Sequence, residues 1–296
     1  MDAYYSVVFY VLAGLFGVCI GSFLNVVIYR VPNQMSVAFP ASHCPQCNTP
    51  IKWYDNIPIL SYIMLGAKCR SCKKHIPIRY TIVEAVNMLL WLVCVWRYKD
   101  ISPVYACICA VACSVCICVF FIDLENMIIP DRFQLILGGL AIIAVIIDGK
   151  EMLLSHILGC TIGFASFALI GFVAEKITKR EALGGGDIKF VAVAGLFLGW
   201  QKLLLTVLLA SLSASIIIIF ARRKTEEIKE TEESKEKKET EEIKDTQENK
   251  KTEESEESGE KEESKEYPFA PFLTAAFTLA MLFGDNIISW YISLIV

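Results

Sequence analysis

The sequence predicts an all-α polytopic membrane protein of about eight transmembrane helices, with a small cysteine-paired lobe between the first and the second. Three observations carry this. The chain is 55% hydrophobic with a mean hydropathy of +0.50. Its apolar runs approach the roughly 20 residues that a bilayer-spanning helix needs. Two Cys-x-x-Cys pairs sit in a polar segment between two of those runs. An ordinary soluble domain does not reach this composition.

The first apolar run covers 4–29. No basic stretch precedes it and no small-residue cleavage site follows, while Asn25 and Arg30 mark its end, so it reads as a retained helix and not a removable signal. Further spans are expected at 80–97, 103–121, 133–148 and 151–174, at 190–220 as a pair broken near Gly199-Trp200-Gln201-Lys202, and at 269–295. Eight crossings result if the last segment crosses once. Between Arg30 and Arg79 the chain carries Arg30, Lys52, Lys68, Arg70, Lys73, Lys74 and Arg79 against the single acid Asp55. Lys and Arg flanking membrane spans stay on the cytoplasmic side, which puts the N-terminus outside and this segment inside.

Counting spans forward from that anchor places two acidic residues on the same cytoplasmic face. Asp123 ends the apolar run Phe120-Phe121-Ile122, and Asp187 follows Leu183-Gly184-Gly185-Gly186 in a loop from Glu175 to Lys189. A carboxylate at the edge of hydrocarbon is costly to keep ionised. If the two side chains meet, they share one proton, leaving one carboxylate to activate water and one acid to protonate a leaving group. That is peptide-bond chemistry. Gly184, Gly185 and Gly186 remove every Cβ from the approach to Asp187, so a partner chain or extended substrate can come close. The bland alternative is two interfacial carboxylates that cap helices or face water.

Cys44-Pro45-Gln46-Cys47 and Cys69-Arg70-Ser71-Cys72 are separated by 21 residues, a spacing at which four thiolates close a tetrahedral zinc site. The rival is a redox centre, which a reducing cytoplasmic side disfavours. His43 and His75 lie beside the pairs, but four well-spaced cysteines make them unnecessary as ligands. The segment is too short and polar to build its own core, so metal ligation supplies folding free energy. Four protein ligands leave no open position for water, so the zinc is structural and not catalytic. The remaining cysteines, Cys19, Cys94, Cys107, Cys109, Cys113, Cys116, Cys118 and Cys160, fall in apolar spans and read as small hydrophobes.

Arg222 to Glu266 breaks the composition: 12 basic and 19 acidic residues, with Ile228 and Ile243 its only aliphatics. Such a stretch cannot bury enough surface to offset its ordering entropy, so a solvated insertion is expected, either disordered or a lone charged helix.

Taken together, the motifs resemble the type IV prepilin leader peptidases, membrane aspartic proteases of the Gly-x-Gly-Asp type. Gly21-Ser22-Phe23-Leu24-Asn25-Val26-Val27-Ile28-Tyr29-Arg30-Val31-Pro32 is similar to the family's signature at the end of the first helix. The cysteine pairs, Asn56-Ile57-Pro58-Ile59-Leu60-Ser61-Tyr62 between them, and Arg79-Tyr80 with Glu84 after them resemble its cytoplasmic domain. Asp123 with Ile129-Pro130-Asp131 resembles the first aspartate motif and Gly184-Gly185-Gly186-Asp187-Ile188-Lys189 the second.

The resemblance implies cleavage of the basic leader from pilin-like precursors at the cytoplasmic face, with Asp123 and Asp187 catalytic and Asp131 the near rival for the first role. It implies location in the inner (plasma) membrane, a lipid bilayer and type IV prepilin-like precursors as partners, and no nucleic acid. It also implies N-methylation of the new N-terminus with S-adenosylmethionine, for which no Gly-rich cofactor fingerprint is found in the chain. One departure stands out: Pro268-Phe269-Ala270-Pro271 replaces the usual Pro-Phe-Gly-Pro before the last helix. The organisation that follows is 1–29 as first transmembrane helix, 30–79 as a cytoplasmic four-cysteine zinc-binding domain, 80–221 as transmembrane aspartic peptidase core, 222–266 as charged insertion and 267–296 as C-terminal transmembrane segment. Three rivals remain: a proton-coupled transporter, which would carry its carboxylates nearer the midplane; a sister intramembrane protease with another substrate; and a zinc-containing scaffold or assembly protein, which needs the cysteines but not the aspartates.

Overall fold

The computed structural model describes residues 3–179, 183–244 and 268–295, and the described residues are almost wholly helical. Helix α1 (Ala3–Arg30) leads into a lobe that holds a short helix, α2 (Leu60–Met64). Then follow α3 (Arg79–Tyr98), α4 (Pro103–Asn126), α5 (Asp131–Asp148), α6 (Leu153–Thr178), α7 (Gly185–Leu198), α8 (Trp200–Lys244) and α9 (Ala270–Ile295). Six of these are long and apolar enough to cross a membrane, so the protein is multi-pass. The other two long segments are shorter: α5 has 18 residues and α7 has 14. Eight helices thus lie where eight crossings were expected, and six of them are candidate membrane spans.

Local chemistry sets the helix ends. Ser102 caps α4, its hydroxyl accepting from the Tyr105 amide at 3.3 Å, with Pro103 in the first turn. Gly199 separates α7 from α8 with a φ of +77°, where a side chain would be strained, which is the break expected near Gly199-Trp200.

Most of the chain forms one compact unit, comprising residues up to Ala210 and from Pro268 onward. Helix α4 is its centre, burying residues along most of its length and packing against α1, α3, α5 and α9. The cysteines expected in apolar spans all lie on helices, and Cys94, Cys109, Cys113, Cys116 and Cys118 are core residues. A buried polar chain ties α1, α3 and α4: Asn87 donates to the Gly17 carbonyl at 2.6 Å, Ser114 to Asn87 Oδ1 at 2.8 Å, and Trp91 to Ser114 Oγ at 2.9 Å. In hydrocarbon such groups need internal partners, and here they have them.

Helices α6 and α7 meet backbone to backbone. A Cβ on Gly195 would lie 2.2 Å from the Gly159 carbonyl oxygen, so only glycine lets the two axes approach this closely. Helix α7 then packs on α9 through Phe190 and Phe197, whose rings stand edge-on to Phe277 at 5.9 and 5.6 Å. Large apolar side chains such as Leu135, Ile146 and Ile177 face outward, as a hydrocarbon solvent requires.

The second unit runs from Ser211 to Tyr267. Its described part is the later portion of α8, apolar to Ala221 and continuing helical through the charged residues to Lys244. The rest of the expected insertion, 245–266, lies outside the described residues.

Candidate functional site

Asp123 and Asp187 reach the same end of the helical unit by different routes. Helix α4 extends past the apolar run, which was expected to stop at 121, so Asp123 sits inside its last turns, and the Asp123 carbonyl accepts the amide of Met127, the left-handed C-cap. Helix α7 begins at Gly185, which puts Asp187 in a first helical turn and not in the expected loop. There the Asp123 carboxylate is within electrostatic reach of Asp187. Asp123 is buried, and its Oδ2 accepts the backbone N–H of Ala270 at 3.2 Å. Asp187 is partly buried, and its Oδ1 is enclosed with no hydrogen-bond partner among the described residues. A carboxylate oxygen left in that state costs free energy unless a proton, a water or a substrate group meets it.

The neighbours fix this arrangement. Ala270 is the first residue of α9, so its N–H has no intrahelical acceptor and joins the positive end of the helix dipole at Asp123. Gln134 on α5 donates to the Gly186 carbonyl at 3.1 Å, and Lys189 on α7 pairs with Asp131 on α5 at 2.7 Å. Asp131 is thus a surface residue with its own cation, 68% exposed at the side chain. Arg79, at the start of α3, pairs with Glu125 and lies over the Phe121 ring at 5.7 Å, which brings the lobe end of α3 to the Asp123 end of α4.

The three glycines divide by role. A Cβ on Gly186 would press on Ile129 at 3.0 Å, so this glycine serves packing between α7 and the segment before α5. A Cβ on Gly185 would meet nothing within 4 Å, so its side of the helix start is open, and one on Gly184 would lie 3.4 Å from Asp187 Oδ2.

In the lobe the sulfurs of Cys44, Cys47, Cys69 and Cys72 all lie within 4.8 Å of one another, with Cys44 and Cys72 at 3.9 Å. Four thiolates at about 2.3 Å from a tetrahedral zinc stand about 3.8 Å apart, so the cluster fits that ion. Each pair sits on the same turn. The Asn48 amide donates to Cys44 O at 2.8 Å and the Lys73 amide to Cys69 O at 3.0 Å, with Asn48 and Lys73 both left-handed. His43 and His75 lie outside the cluster, each in a backbone bridge beside its knuckle.

The Thr49 hydroxyl and backbone hold the Cys47 thiol down to about 6. Backbone contacts from Cys72 and Ser71 lower Cys69. The Lys74 backbone also lowers Cys72, but burial and the three surrounding sulfurs outweigh it and push that thiol up to about 11. A divalent cation relieves this crowding and lets all four ionise.

In the sequence Ala270 stands out only as a departure from a motif, and Gln134 does not stand out at all. The signal for Gln134 was a lone amide in an apolar span. For Ala270 it was a proline-flanked helix start, the usual place for an unsatisfied N–H.

Two family models match the chain: the bacterial peptidase A24 N-terminal domain over residues 15–98, and the type IV leader peptidase family over residues 110–219. A prepilin leader peptidase/N-methyltransferase of Myxococcus xanthus is 36% identical over 223 residues, covering 73% of this chain and 64% of that relative. The protein of the same name from Klebsiella pneumoniae is 34% identical over 206 residues, covering 68% and 90%. The one from Aeromonas salmonicida is 29% identical over 321 residues, covering 99% and 95%. No solved structure matches.

Proposed function

The chain belongs to the type IV leader peptidase family, and on that premise we propose that Asp123 and Asp187 are its catalytic pair. The protein removes leader peptides from type IV prepilin-like precursors and N-methylates the terminus it creates. The observation that carries the aspartic mechanism is the partnerless, enclosed Oδ1 of Asp187, which feels the charge of Asp123. Asp131 is a weaker candidate because Lys189 already neutralises it on the surface.

In the reaction, one carboxylate takes a proton from water as its oxygen attacks the scissile carbonyl. The protonated partner then donates to the departing amine as the C–N bond breaks. The two aspartates titrate as a pair, so neither is assigned the proton alone. The Ala270 N–H holds Asp123 in place, and the open side of Gly185 admits an extended backbone. Precursor helices are apolar and their leaders basic, so the bilayer orients the scissile bond at the end of the helical unit where the lobe lies. That end faces the cytoplasm of the inner membrane, on the basic charge of the lobe.

Cys44, Cys47, Cys69 and Cys72 hold a structural zinc, which folds the lobe and takes no part in hydrolysis. S-adenosylmethionine, when bound, supplies the methyl group. The test is to incubate purified protein in detergent with a prepilin-like precursor and weigh the products. Loss of the leader, with a further methyl mass when S-adenosylmethionine is added, is expected. An intact precursor with folded, zinc-loaded enzyme would instead leave the protein a scaffold.

A further inference from the structure

A cavity of about 370 Å³ lies between the lobe and the ends of α1 and α3. Its size falls among pockets that enclose small ligands, roughly 300–1,000 Å³. Three polar residues on its wall are themselves buried: Asn25 at 6%, Arg30 at 6% and Glu84 at 8% exposed. Asn25 donates to the Tyr80 carbonyl at 3.0 Å and the Gly21 carbonyl at 3.3 Å, but its Oδ1 is enclosed without a hydrogen-bond partner among the described residues. Glu84 accepts the Ile59 amide at 2.8 Å and the Ser22 hydroxyl, and has no ion-pair partner among the described residues. Arg30 donates to the carbonyls of Ser36 at 2.9 Å and Pro40 at 2.7 Å. A guanidinium has five N–H groups, so donors remain.

We propose that this cavity binds S-adenosylmethionine by the zwitterionic amino-acid end, with Glu84 and Asn25 Oδ1 meeting the ammonium and Arg30 meeting the carboxylate. An orphaned amide oxygen, a carboxylate with no cation beside it and a cationic fork with donors to spare, all on one wall, fit a ligand that carries both charges. The position suits the task. Tyr80, on the cavity wall, follows Arg79, whose pairing with Glu125 joins this end of α3 to the helix that carries Asp123. The inference rests on the methyltransferase reading given above.

The test is equilibrium binding of radiolabelled S-adenosylmethionine to the full-length, zinc-loaded protein in detergent, with fold monitored by melting temperature and zinc content. Glu84→Gln, which can still accept from the Ile59 amide, and Arg30→Lys should each weaken binding at least tenfold. S-adenosylhomocysteine, with the same amino-acid end, should compete well, and methylthioadenosine, which lacks it, at least tenfold less well. Asp123→Asn should bind as wild type does. Unchanged affinity in both Glu84→Gln and Arg30→Lys, or equal competition by methylthioadenosine, overturns the site. If wild type adds a methyl to the cleaved product while both variants still bind normally, the cavity assignment fails and the methyltransferase reading stands. If wild type adds no methyl, that reading fails first.

Discussion

Replacing Ala270 by proline deletes the backbone donor that meets the Asp123 carboxylate. Phe269 is the N-cap of α9, its carbonyl accepting the amides of Phe272 at 3.1 Å and Leu273 at 3.2 Å, so Ala270 is the first helical residue, where proline is tolerated. The substitution removes the N–H that meets Asp123 Oδ2 at 3.2 Å and leaves the helix ladder intact. A hydrogen bond to a charged group contributes about 1.5–3 kcal/mol, and about 1.4 kcal/mol is a tenfold rate change. Ala270→Pro should therefore lower kcat/KM for leader cleavage by roughly 10- to 150-fold. Ala270→Gly keeps the N–H and should cleave within about threefold of wild type, well under the 1.4 kcal/mol of a tenfold change. The assay is initial-rate cleavage followed by mass spectrometry, with melting temperature confirming that both variants fold. Wild-type kcat/KM in a folded Ala270→Pro protein would refute the role given to this amide.

Gly195→Ala forces a methyl onto the Gly159 carbonyl across two backbones, neither of which is a flexible side-chain tip. It should destabilise the protein by about 1–3 kcal/mol or more, read as a lower melting temperature in detergent, while Gly185→Ala, with open space around it, should leave stability unchanged. Removal of any one of Cys44, Cys47, Cys69 or Cys72 should abolish the single bound zinc found by metal analysis of wild type, and a strong chelator should unfold the lobe. Arg70, bonded to Asp55 at 2.6–3.1 Å, holds that carboxyl below the usual carboxylate range. Because the folded value is the lower one, the pair stabilises the lobe at neutral pH and this contribution is lost as pH falls through the folded value. Asp55→Asn should accordingly flatten the acid side of the lobe's stability profile, followed by Trp53 fluorescence.

The four-cysteine cluster was the most legible part of the sequence, because knuckle spacing is local and each pair needs only its own turn to present two sulfurs. The break at Gly199 was legible for the same reason. The end of α4 was not. Apolar character stops at Ile122, yet the helix continues because Glu125 finds Arg79 and Asp123 finds the start of α9, partners 46 and 147 residues away. The loop expected around Asp187 became a helix start once Gln134 and Lys189 tied it to α5, contacts that no local pattern encodes. Of the three glycines, the sequence suggested one shared purpose, whereas packing against Ile129 separates Gly186 from the open Gly185. Asn25 and Glu84 were visible as members of motifs, but their burial on one cavity wall depends on α1, α3 and the lobe meeting.

Asp123 and Asp187 are proposed to act as one unit. The most direct test is single-turnover cleavage of a prepilin-like precursor by wild type, Asp123→Asn, Asp187→Asn and the double variant. Each single variant should fall to background and the double variant should be no slower, because members of one catalytic unit are not additive. Substantial cleavage by either single variant would contradict it.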